Sequence, residues 1–260
     1  MQLELENKVI VITGGAKGIG AAITRACAQE GAVPVVVDRD AEAGRQIEQE
    51  LTGRGINGKW IGADLAVENG ARQAVASITR TYGRIDGLVN NAGVNDRVGL
   101  EHGSSKEYLA SLQRNLLHYY DMAHCCLPQL KKTQGAIVNI SSKTAITGQG
   151  GTSGYASAKG AILALTREWA AELLPYGIRV NAIVPAEVMT PLYRQWLSSF
   201  PNPDEKLKNI VSKIPLGARM TEPAEIAGVA IFLLSGKAGH ITGQHWFVDG
   251  GYVHLDRALT

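Results

Sequence analysis

The chain has 260 residues, 45% hydrophobic and 19% charged, with a formal net charge of +2. That length suits one large α/β domain, or two small ones, with ample sequence to bury a core, and the hydrophobic share excludes wholesale disorder. A charge so near zero gives no electrostatic case for nucleic acid or an anionic membrane as partner.

The three cysteines, Cys27, Cys125 and Cys126, are odd in number and lack CxxC spacing. They do not form a disulfide framework and fit a reduced compartment. The first residues carry Glu4 and Glu6 rather than the basic-then-apolar layout of a signal peptide. No uninterrupted apolar run approaches the ~18 residues of a membrane helix. A cytoplasmic protein with neither membrane nor nucleic-acid partners is expected.

Short β-branched runs alternate with longer amphipathic stretches along the chain. Strands are predicted at 9–13, 33–38, 59–63, 87–90, 136–140, 179–184 and 244–248, with helices such as 19–30 and 157–174 between them. Runs that are apolar throughout, like Val33-Pro34-Val35-Val36-Val37, require cover on both faces, as in a parallel sheet. The pattern predicts one doubly wound α/β domain over 1–260, with about seven parallel strands and helices on both faces. Pro34 falls near the start of its run, where it disturbs the ladder least.

After the first strand comes Thr13-Gly14-Gly15-Ala16-Lys17-Gly18-Ile19-Gly20. Glycines permit a sharp turn and let backbone amides approach a pyrophosphate, which the following helix N-terminus also attracts. Gly14, Lys17, Gly18, Ile19 and Gly20 are therefore candidate cofactor-binding residues. Asp38 ends the second strand, 18 residues past Gly20. A carboxylate there accepts from adenosine ribose hydroxyls and repels a 2′-phosphate, favouring NAD. Lys17 and Arg39 argue for NADP, because either cation pairs with a 2′-phosphate. NAD is the expected cofactor and NADP the alternative.

Further along, Asn90-Asn91-Ala92-Gly93 follows the fourth strand, Ser141-Ser142 the fifth, and Tyr155-Ala156-Ser157-Ala158-Lys159 opens a long helix. With the glycine turn, these motifs resemble the short-chain dehydrogenase/reductase family across essentially the whole chain. The resemblance implies a Rossmann-type fold, NAD(P)-dependent chemistry at CH–OH groups, and a catalytic tetrad of Asn115, Ser142, Tyr155 and Lys159. Tyr155 and Lys159, four apart, share a helix face. A nearby ammonium and a cationic nicotinamide both favour the phenolate and lower a tyrosine pKa of about 10. Lys159 can also hydrogen-bond the nicotinamide ribose. Ser142 matches the serine that holds the reacting oxygen, while Ser141 points elsewhere on a strand-like backbone. Asn115 matches the residue that anchors a water relay to the lysine. The resemblance also places Asp64 and Leu65 beside the adenine, Asn91, Ala92 and Gly93 along the cofactor, and Val188 and Thr190 at the carboxamide. Pro185-Ala186-Glu187 departs from the family's usual Pro-Gly.

Residues 187–213, with Pro191, Pro201 and Pro203 among Tyr193, Trp196 and Phe200, read as a helical insertion. It is either a substrate lid or a packed surface helix pair. Asn95, Gln149 and Glu187 are expected to converge with Ser142 and Tyr155 into a substrate site. Segments 141–145, 147–150, 185–193 and 251–257 are similar to the L-fucose-oxidising branch of the family. This implies oxidation of an anomeric C–OH of L-fucose or a related aldose to its lactone. A 3-oxoacyl or hydroxysteroid reductase is the alternative enzyme, and a nucleotide sensor without catalysis the alternative class; the intact tetrad argues against the sensor. The six histidines form no ligand cluster, so no metal is expected. A homotetramer is expected through helices at 106–131 and 155–174, and the tail 250–257 is a candidate to reach a neighbour's pocket.

Overall fold

The computed structural model describes residues 2–256, so Arg257 of the tail lies outside it. Seven parallel strands are joined in the order β3-β2-β1-β4-β5-β6-β7. They are β1 (Val9–Thr13), β2 (Val33–Asp38), β3 (Lys59–Gly62), β4 (Gly87–Asn90), β5 (Ala136–Ile140), β6 (Arg179–Pro185) and β7 (His245–Val248). Ala63 and Gln244 fall just outside their predicted strands, yet both still bond to the neighbouring strand, Ala63 N–H to the Asp38 carbonyl and the Gln244 carbonyl to Ala182 N–H. Pro34 pairs with Ile10 of β1 before the β3 ladder begins at Val35, so its missing N–H breaks no bond to β3.

The alternation of side chains along each strand builds two cores. Val9 and Val11 of β1 face one way with Val35, Val37, Leu88 and Ile137, against α3 (Gly70–Tyr82), α5 (His118–Thr133) and α6 (Ser153–Glu172). Ile10 and Ile12 face the other way with Val89, Val138 and Ile183, against α1 (Gly18–Gln29) and α9 (Pro223–Leu234). A smaller cluster seats Ala43 and Ile47 of α2 (Ala41–Gly53) on Val36. Cys27 and Cys126 are buried within these layers, and burial pushes both thiols up, Cys27 to about 12.

The helix predicted at 106–131 is not continuous. It divides into α4 (Ser105–Leu112), a π turn at Gln113–Leu117, and α5. Asn115 sits in this π turn, its buried side-chain amide donating to the Ser111 carbonyl at 3.1 Å, where a side chain enters the helical ladder. The insertion after β6 is helical as expected, forming α7 (Pro191–Leu197) and α8 (Pro203–Val211). Each begins with a proline at its first position, where the missing N–H has no helical partner to lose. Among the described residues no helix is long and apolar enough to cross a membrane.

Sheet order reverses between β1 and β4, so the connections leaving their carboxyl ends diverge to opposite sides. A cleft of about 510 Å³ opens there, the position that this topology reserves for ligands.

Candidate active site

The turn after β1 forms one wall of the cleft. Gly14 has φ +61°, in the left-handed region, and a Cβ on Gly20 would lie 2.1 Å from the Gly14 carbonyl oxygen. Neither position accepts a side chain. Asn91 secures this turn, donating from its side-chain amide to the carbonyls of Thr13 and Gly14 at 2.9 and 3.1 Å. Its amide is thus committed to the glycine turn, although Asn91 also lines the cleft. The first turn of α1 has no side-chain cap and no acidic residue, leaving its N–H groups and positive end to an anion.

Asp38 borders the same cleft. Its carboxylate accepts from Ala16 N–H at 3.2 Å and Asp40 N–H at 3.0 Å, which fixes its direction. The two cations that argue for a 2′-phosphate are both engaged: Lys17 with Asp40 at 2.5 Å and Arg39 with Asp64 at 3.5 Å. Leu65, Ala92, Gly93, Val188 and Thr190 continue the lining as the sequence predicts. Thr190 also caps α7, its hydroxyl accepting from Tyr193 N–H. The Pro185-Ala186-Glu187 departure leads into a short bridge, in which Thr221 N–H donates to the Glu187 carbonyl and Val188 pairs with Thr221. Glycine turn, uncapped helix end and the Asp38 carboxylate occupy one continuous cleft, and this combination fits a dinucleotide.

At the other end, Ser142, Tyr155 and Lys159 come together. The Ser142 hydroxyl accepts from Thr144 N–H at 3.2 Å and lies beside Tyr155 in the cleft wall. Ser141 points away, donating to the Lys159 carbonyl at 2.8 Å. Lys159 is buried, and its ammonium donates to the Ile140 carbonyl at 2.8 Å and to the Tyr119 hydroxyl at 3.0 Å. Burial pulls Lys159 down to about 7. Tyr155 is raised rather than lowered: desolvation pushes it up, and the nearby Ser142 hydroxyl opposes this only in part. The expected relief from Lys159 is missing because its ammonium lies 5.6 Å from the Tyr155 ring centre and is directed at Tyr119 and Ile140. A positive charge from an oxidised nicotinamide would act in the lowering direction.

Asn115 accepts from Val94 N–H at 2.7 Å. A Cβ on Gly93 would lie 3.0 Å from Asn115 Oδ1 and 3.6 Å from Lys159 Nζ, so both residues surround the bare Gly93 backbone. The residue bonded directly to Lys159 is Tyr119, which sequence reasoning missed. Its signal was available: a hydroxyl-bearing aromatic one turn beyond Asn115. His118 was missed too. It lines the cleft with Nδ1 buried and without a protein partner, Nε2 meets the Arg114 carbonyl at 2.9 Å, and desolvation lowers it to about 4.

The substrate residues divide. Asn95 lines the cleft, whereas Gln149, which is exposed, and Glu187 both lie outside the lining. Glu187 is not an open loop acid: it pairs with Lys143 and accepts from the Tyr193 hydroxyl at 2.7 Å. The tail returns to its own chain, where Asp249 accepts from Gly251 and Val253 N–H and the Tyr252 ring lies 4.2 Å from the Lys143 ammonium. Among the described residues no group of three or more His, Cys, Asp or Glu is placed to hold a metal.

A dinucleotide cleft that ends on a serine, a tyrosine and a buried lysine defines a nicotinamide-dependent oxidoreductase acting on CH–OH groups. The chain belongs to the short-chain dehydrogenase/reductase family, whose members use NAD(P). A family model described as enoyl-(acyl carrier protein) reductase matches residues 14–253. L-fucose dehydrogenase of Bos taurus is 38% identical over 246 residues, 94% of this chain and 89% of the relative. The 3-oxoacyl-[acyl-carrier-protein] reductase FabG of Thermotoga maritima is 35% identical over 254 residues, 96% and 100% of the two chains. The crystal structure of Cj0485 dehydrogenase superposes with TM-score 0.95 at 48% identity, covering 100% of this chain and 99% of that one.

Proposed function

We propose that this enzyme oxidises the anomeric C–OH of L-fucose or a related aldose to the lactone, with NAD as acceptor. The observation that carries this reading is the polar wall that shares the cleft with Ser142 and Tyr155: Asn95 and Tyr193 line it, and the Tyr193 hydroxyl is held from behind by the Lys143–Glu187 pair. An acyl chain or steroid calls for an apolar slot, whereas a monosaccharide needs several donors and acceptors held in place. The likeness to L-fucose dehydrogenase supports it.

Bound in the cleft, an oxidised nicotinamide supplies the hydride acceptor. With the dinucleotide bound, Ser142 would hold the reacting oxygen, Tyr155 would take its proton with the cationic nicotinamide favouring the phenolate, and Lys159 would hydrogen-bond the nicotinamide ribose. Asn115, through Gly93 and the π turn, keeps the region around Lys159 in shape. The engagement of Lys17 and Arg39 by acids, beside a directed Asp38, supports NAD over NADP. Residues 187–213 act as the substrate lid. The chain assembles as a homotetramer, with exposed Leu109, Leu117 and Tyr120 on α4, the π turn and α5 supplying apolar contact area. A monomer in sedimentation at micromolar concentration would refute this assembly.

The test is reduced-nicotinamide absorbance with L-fucose, D-arabinose, L-galactose, a hydroxysteroid and an acyl thioester, each with both cofactors. L-Fucose or D-arabinose is expected to turn over fastest, with NAD. Faster reaction of the steroid or the thioester overturns the sugar assignment.

A further inference from the structure

Lys143 directly follows Ser142, and its side chain is only 10% exposed; that of its partner Glu187 is 14% exposed. The ammonium donates to Glu187 Oε1, and the other carboxylate oxygen, Oε2, accepts from the Tyr193 hydroxyl. Tyr193 lines the cleft and starts an aromatic row on the insertion, edge-on to Trp196 at 5.0 Å, which meets Phe200 at 4.9 Å. The Tyr252 ring, from the turn after β7, covers the Lys143 ammonium. One buried ion pair therefore ties the serine-bearing segment, the loop after β6, helix α7 and the C-terminal turn to one another.

A pair so withdrawn from water is a poor source of stability, since apolar residues of similar volume avoid the desolvation cost. What it supplies and an apolar pair does not is direction. A carboxylate anchored at one oxygen presents the other to a single hydroxyl, that of Tyr193.

We infer that Lys143 is a positioning residue for substrate: by anchoring Glu187 it holds the Tyr193 ring as a fixed wall of the cleft, against which the apolar face of a sugar ring rests. The inference rests on the sugar reading above for its substrate, but not for its geometry. A carbohydrate offers a flat C–H face to an aromatic ring, and its affinity then depends on how firmly that ring is held.

Two measurements on the full-length chain test it: steady-state kinetics with L-fucose at saturating NAD, and amide hydrogen exchange over residues 187–197. Lys143→Met is expected to raise KM about tenfold, the scale of one hydrogen bond to a charged group, while kcat and the NAD Kd change by less than about threefold. Exchange over 187–197 should accelerate while α6 keeps its protection. Lys143→Arg should restore both readouts. Tyr193→Phe should raise KM similarly, and Lys143→Met/Tyr193→Phe should be no worse than Lys143→Met alone. Unchanged KM and exchange in Lys143→Met, or effects that multiply in the double variant, overturn the inference. If Lys143→Met does not fold, Tyr193→Phe decides, and a KM equal to wild type overturns it. Should the wild type oxidise no aldose, the sugar reading falls, and the exchange rates alone judge the positioning role.

Discussion

The Lys159 ammonium donates to the Tyr119 hydroxyl at 3.0 Å, and that hydroxyl donates in turn to the Ile140 carbonyl at 2.9 Å. Because Lys159 also reaches the Ile140 oxygen, the three groups close a ring of hydrogen bonds near Tyr155. The arrangement ties α5, β5 and α6 at one point. Tyr119→Phe leaves a buried cation short of one acceptor, at a cost of about 1–3 kcal/mol in unfolding free energy. Denaturant titration of the variant beside the wild type checks this.

Tyr155→Phe removes the proton acceptor and keeps the ring. We expect kcat to fall by roughly 10²–10⁴, the range of general acid–base catalysis, with cofactor Kd unchanged by calorimetric titration. Substantial residual turnover would reject Tyr155 as the base.

The lysine pKa has a consequence for stability. Lys159 is held near 7 in the folded state against 10.5 in an open chain. Between those values the unfolded chain binds a proton that the folded one does not, so this residue makes stability rise with pH. Denaturant titrations at pH 7 and pH 9 should show a larger rise for the wild type than for Lys159→Met. Equal rises would mean that Lys159 stays charged in the folded protein.

His118 works across a lower window. Its folded value near 4 lies below the ordinary 6.5. As pH falls through that interval the unfolded state takes up a proton that the folded state refuses, and stability is lost. His118→Gln should flatten the loss between pH 6.5 and 4, as followed by thermal melts.

Asp38→Ala removes the carboxylate proposed to accept from the ribose and to repel a 2′-phosphate, together with the anchor on Ala16 N–H. NAD affinity should drop about tenfold and the NADP/NAD ratio of kcat/KM should rise. A wild type that already favours NADP would show that Lys17 and Arg39 dominate.

Much of this site was legible because its parts are local. The glycine turn and Asn91-Ala92-Gly93 each sit at one strand end, Tyr155 and Lys159 share one helix face, and alternation along the chain reveals where those elements are. What escaped depends on separation. Tyr119 meets Lys159 across 40 residues and Lys143 meets Glu187 across 44, and no spacing rule announces such partners. Glu187 was visible as a polar loop residue, but its capture by Lys143 and Tyr193 was not. Gln149 carried the same polar signal and ends exposed. The π turn left no trace in hydrophobic period, because one extra residue in a helix is smaller than the noise in an apolar stripe.

That extra residue constrains how the chain can change length. Each residue added to or taken from a helix turns everything beyond it by ~100°. Removing one between Leu112 and His118 would restore regular winding and swing Asn115 off Val94 N–H, or else swing Tyr119 off Lys159. Inserting one would do the same in the opposite sense. The α4–α5 segment is thus a ruler of fixed length, and insertions or deletions in this enzyme should be tolerated at exposed sites such as 53–57, where Gly53 and Gly55 have open space around them, but not here.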